Sequence, residues 1–140
     1  MKIKPWAKCT SSLPTDEIET EDGRDFVQYG GKSVAKAIAE DLSAFGCAVE
    51  APQHAHEHGW ECSFKFQGRS LWFQVTLIDD YYLVFEDVTF WASKSRPHAA
   101  YVEFMRRVGP ALRQDIRLEN LRWYVEPDDG SEGAQEPVTE

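Results

Sequence analysis

No apolar run in this chain approaches the roughly 18–20 residues that a membrane-spanning helix needs, so no such segment and no membrane partner are expected. The basic opening Met1-Lys2-Ile3-Lys4-Pro5-Trp6 has no apolar stretch behind it, and no secretory signal is expected either. Cysteine is scarce. Cys9, Cys47 and Cys62 are odd in number, irregularly spaced and form no Cys-x-x-Cys pair. A reducing cytosol, with Cys47 and Cys62 serving as small buried residues, is the expectation. Positive charge is also short: 15 Lys and Arg stand against 24 Asp and Glu, for a net charge of −9 and no basic cluster. Such a field repels phosphate backbones, so nucleic-acid binding is not expected. Most of the acidity belongs to the ends, since residues 24–126 contribute only −2.

What the chain does have is enough length, at 140 residues, for one domain with a real core. Hydrophobic content of 42% with 13% aromatics places its middle among ordered globular proteins. Between Gly59 and Phe90 the residues alternate with a period of two. Trp60, Cys62, Phe64 and Phe66, then Leu71, Phe73, Val75 and Leu77, then Tyr81, Leu83 and Phe85 share one face. Interruptions at Gly68-Arg69 and Asp79-Asp80 make this a three-strand antiparallel meander.

Helical stripes flank it. Val34, Ile38, Leu42 and Phe45 predict a helix over about 33–45, opened by Ser33 as N-cap and closed by Gly46. Tyr101, Phe104, Met105, Val108 and Leu112 predict a second over about 97–114, kinked or split at Gly109-Pro110. Leu121, Trp123 and Val125 suggest a final strand over about 121–126, while Asp25–Tyr29 and Cys47–Glu50 read as short strands. The expectation is an α+β fold, an antiparallel sheet whose apolar face is covered by two helices. Residues 1–23 read as a loosely ordered acidic arm with Trp6 and Leu13 as candidate anchors, 24–126 as a single domain, and 127–140 as a disordered acidic tail.

Few motifs carry chemistry. Gly30-Gly31-Lys32-Ser33 ends like a P-loop, but the glycine required five residues before the second Gly is Phe26, leaving an ordinary helix start. His54, His56 and His58, between Cys47 and Cys62, could converge on zinc or copper if the segment were extended, although the spacing matches no standard zinc signature. Asp79-Asp80 suits a hairpin turn, and Glu86-Asp87 would face opposite sides of a strand. No nucleophile–base arrangement is recognisable and no cofactor is called for, so catalysis is not expected. The second face of the meander stands out instead, with Lys65 on the first strand, Trp72, Gln74 and Thr76 on the middle one, and Tyr82 and Glu86 on the third. Trp and Tyr are enriched at binding hot spots.

The segment AFGCAVE, then FQGRSLWFQVTLIDDYYLVFE and a following helix, resembles the bacterial type III secretion chaperone-like fold, including YbjN-type regulator domains, over roughly residues 33–108. The resemblance implies a non-enzymatic, often dimeric protein that binds segments of other proteins. Together these readings predict a cytosolic protein-interaction module, either a chaperone-like adaptor or a toxin-neutralising immunity protein. Lys65, Trp72, Gln74, Thr76, Tyr82 and Glu86 would meet the partner, a basic protein or a second copy. The alternative is a small zinc or copper protein built on His54, His56 and His58.

Overall fold

The computed structural model describes residues 1–140. In chain order its elements are β1 (Lys2–Ile3), β2 (Trp6–Thr10), β3 (Ile18–Glu19), β4 (Phe26–Gln28), α1 (Lys32–Ala44), β5 (Ala48–Val49), β6 (Gln53–His54), a 3-10 turn (His56–His58), β7 (Trp60–Phe66), β8 (Arg69–Ile78), β9 (Asp80–Asp87), α2 (Ala99–Arg113), β10 (Glu119–Tyr124) and β11 (Val138–Thr139). Seven strands form the main antiparallel sheet in the order β10-β2-β9-β8-β7-β5, with β6 also on β7. The fold is α+β, with the meander and two helices where the residue patterns place them. The first turn sits at Gln67-Gly68, both at positive φ, rather than at Gly68-Arg69.

One face of the sheet meets the helices. Phe64, Phe66, Phe73, Val75, Leu83 and Phe85 are buried there against Val34, Ile38 and Leu42 of α1 and Phe104, Met105, Val108 and Leu112 of α2. Phe104 is the hub, its ring 5.0 Å from that of Phe64 and 5.8 Å from that of Phe85. Burial on this scale, not helix propensity, holds both helices.

Helix starts differ from the expectation. Gly31 occupies the N-cap of α1 at φ 114°, a conformation that costs glycine little. Ser33 is the second residue of the helix, in its first turn, and its N–H donates to the Asp16 carboxylate at 2.8 Å. The helix entrance that resembled a phosphate cradle is thus already filled by a carboxylate. α2 is capped by His98, whose Nδ1 accepts from the Ala100 N–H at 3.0 Å, and Pro97 lies outside it. The helix does not split at Gly109-Pro110. Proline forfeits one bond, to the carbonyl of the exposed Arg106, while Met105 and Val108 before it and Leu112 after it stay buried.

The two ends need the largest correction. Residues 6–10, expected within a loose arm, form an inner strand between β9 and β10, with Ala7 and Cys9 buried. The acidic tail is fastened at several points rather than disordered. Trp123 and Ala134 exchange backbone hydrogen bonds, Lys4 N–H donates to the Pro137 carbonyl at 2.7 Å, and β11 pairs with β1. Pro137 packs on Gly109 of α2, where a Cβ would stand 2.5 Å from its Cδ. Arg113 pairs with Glu136 beside it.

Candidate functional site

Alternation puts Lys65, Trp72, Gln74, Thr76, Tyr82 and Glu86 on the face that turns away from both helices. None of the six is sealed in the interior; Lys65 is exposed and the other five are half-buried. Trp72 is paired with Glu86 and Ser63, Gln74 with Val84, and Thr76 with Tyr82. Lys65 stands apart, opposite Ser70 near the Gln67-Gly68 turn. Thr76 is already committed, since its hydroxyl donates to the His58 carbonyl at 2.6 Å and accepts from the Gln74 amide at 3.2 Å.

Residues from the two ends complete this surface. β2 contributes Trp6 and Lys8, and β10 contributes Tyr124, in register with Val84 and Tyr82 of β9. Lys8 Nζ lies 5.2 Å from the Tyr82 ring centroid and 5.8 Å from that of Tyr124, bracketed by cation–π contacts. Desolvation works to lower its pKa, but Tyr82, Tyr124 and Asp128 outweigh it and hold the ammonium charged. Val84, on this helix-free side, is only 3% exposed because the surrounding side chains close over it. Trp6, Trp72, Tyr82 and Tyr124 thus stand half-buried on one face, distributed across β2, β8, β9 and β10. The Trp6–Thr10 alternation was the available signal for β2, but Lys8 at its centre made it look like solvent-exposed chain.

At one end the face runs into a cleft of about 410 Å³, walled by Ile3, Trp6, Glu86, Lys94, Tyr101 and Glu126 among others. Its corner is rigid: Asp87 accepts from Arg69 Nε at 3.0 Å and Nη2 at 2.7 Å, and from the Thr89 N–H. Burial would raise the Asp87 pKa, yet these donors hold it below the usual carboxylate range. Tyr101 fixes the other side by donating its hydroxyl to the Phe85 carbonyl at 2.7 Å.

The histidine segment does not gather into a metal centre. His54 Nε2 accepts the Tyr29 N–H at 3.0 Å, with its ring stacked on Tyr29. His56, in the 3-10 turn, keeps its ring 5.4 Å from that of His54, whereas His58 lies apart beside Glu57 in solvent. Burial pushes the Cys47 thiol up to about 12 and the Cys62 thiol up to about 11, as expected of small buried residues. No three His, Cys, Asp or Glu side chains come together at ligating distance. No helix is long and apolar enough to cross a membrane. In comparisons with known proteins, the chain matches no family model, no curated protein and no solved structure.

Proposed function

We propose that the protein is a non-catalytic, cytosolic interaction module that docks a protein partner on the helix-free face of its sheet. One observation carries this reading: an antiparallel sheet covered by helices on a single side presents Trp6, Trp72, Tyr82 and Tyr124 half-buried on the other. Rigid, partly desolvated aromatics lose little side-chain entropy on contact, which makes them effective anchors. Strand spacing of about 4.8 Å makes the five strands from β10 to β7 about 20 Å across, wide enough for one side of a modest interface. Lys8, Gln74 and Glu86 supply orientation around the anchors. The net charge of −9 favours a basic partner by steering its approach. The chaperone-like resemblance of residues 33–108 points the same way, toward either a chaperone-like adaptor or a toxin-neutralising inhibitor.

The test is capture of the partner by the full chain from its native cell, with the captured protein identified and then reconstituted from pure components. Trp72→Ala with Tyr82→Ala should weaken the reconstituted complex at least about 100-fold, as loss of two hot-spot side chains does. Unfolding by urea should stay cooperative, because neither side chain lies in the core. Undiminished affinity in the folded double variant would remove the surface assignment.

A further inference from the structure

The cleft beside Trp6 combines two chemistries that rarely suit the same ligand. Ile3, Pro5 and Val125 line it with apolar surface and Trp6 adds an aromatic ring, while Glu86 and Glu126 bring carboxylates. Asp87 is already neutralised by Arg69, so those two glutamates supply the available negative charge. Glu126 has no ion-pair partner, and Glu86 has one loose contact, Lys94 Nζ at 3.9 Å. The Lys94 side chain is 96% exposed, so nothing else holds it there. A bare metal ion would need a shell of oxygens at about 2.3–2.6 Å, which these walls do not offer. A long aliphatic stem ending in a cation satisfies both parts, since its methylenes lie on apolar walls while its head meets a ring and carboxylates.

We infer that this cleft receives an arginine or lysine side chain of the protein partner, which displaces the loose contact of Lys94 with Glu86. The inference rests on the reading of the adjoining face as the docking surface, with which the cleft shares Trp6 and Glu86. It names what the partner brings: a basic residue projecting beside the patch that covers Trp72 and Tyr82. Displacing Lys94 costs little, because an exposed ion pair at this separation is weak and screened by solvent.

The experiment needs no partner. The full chain, labelled with nitrogen-15, is titrated with Nα-acetyl-arginine methylamide, with its lysine counterpart, and with the uncharged citrulline analogue. Arginine or lysine should shift the Trp6 indole N–H and the Glu86 and Lys94 amides saturably, and citrulline should not. Glu86→Gln with Glu126→Gln should weaken that response about fivefold or more, whereas Lys94→Ala should strengthen it about twofold by removing a competing positive charge from beside Glu86. An equal response to citrulline, no saturable response, or indifference to the glutamine pair would overturn the cleft assignment. Trp72→Ala with Tyr82→Ala should leave these small-molecule shifts in place. A failed titration alongside Trp72- and Tyr82-dependent capture therefore removes only the cleft, and the reverse pattern removes only the face.

Discussion

The backbone N–H of Ser33, in the first turn of α1, donates at 2.8 Å to the carboxylate of Asp16, a residue 17 positions earlier that sits at φ 64°. A segment distant in sequence thus caps the helix, because Gly31 at the N-cap has no side chain to do so.

Asp16→Gly should cost about 1 kcal/mol, measured as a shift in urea midpoint. Glycine keeps the left-handed backbone and deletes only the carboxylate. Asp16→Asn tolerates the same φ and still offers an oxygen, so it should lose less than half as much. An unshifted urea midpoint for Asp16→Gly would show that the bond to Ser33 contributes nothing.

A pH dependence follows from Asp41 on α1 and Asp115 after α2. Arg117 forks onto Asp115 at 2.9 Å, reaches Glu40 at 2.7 Å, and stays 3.6 Å from Asp41. Three carboxylates surround one guanidinium, and the Asp41 Oδ2 is buried without a donor. Desolvation, then the hydrogen bond with Asp115 and its charge, push Asp41 up to about 8. Asp115 is held down at about 2; burial opposes this, but hydrogen bonds from Arg117 and from Asp41 outweigh it. Asp41 raised above its unfolded value of about 4 stabilises the fold fully below that value, and this contribution is lost as pH rises through about 8. Asp115 has the opposite sign: its contribution is present above about 4 and lost as pH falls through about 2. Asp41→Asn copies the protonated form, so its melting temperature should gain on that of the unaltered protein between pH 5 and pH 9, a window of about four units below and through the Asp41 titration. Parallel curves across that range would mean that the two carboxylates share no proton.

Gly109→Ala tests the fastening of the C-terminal segment. A methyl group there meets Pro137 and the Glu136 carboxylate, and overpacking of this kind costs about 1–3 kcal/mol. Hydrogen exchange at the Ala134 amide, which is bonded to the Trp123 carbonyl, should accelerate while core amides of β8 slow-exchange as before. Unchanged exchange at Ala134 would show that contact with α2 does not hold this segment in place.

Legibility differed sharply between elements. The meander and both helices were readable because each carries its own period, two along Trp60–Phe66 and about 3.6 along Tyr101–Leu112. The second face of the meander followed from the same alternation, so Trp72, Tyr82 and Glu86 could be named in advance. β2 could not be, because five residues with Lys8 at the centre look extended and polar until Tyr82 and Tyr124 are placed on either side. The histidines were legible only in part: the rings of His54 and His56 lie 5.4 Å apart as alternate spacing implies, but the turn at His56–His58 carries His58 into solvent.

Hydrophobic periodicity, a property of neighbours along the chain, was sufficient for the fold class, the core-facing side of each element and the aromatic reverse of the meander. Long-range pairing settled the rest: the inner place of Trp6–Thr10, the capping of Ser33 by Asp16 and a cleft drawn from residues near positions 3–6, 86–87, 92–101 and 125–126. Such contacts arise from strand register and layer packing between distant segments, whose local patterns hold no record of which partner each will meet.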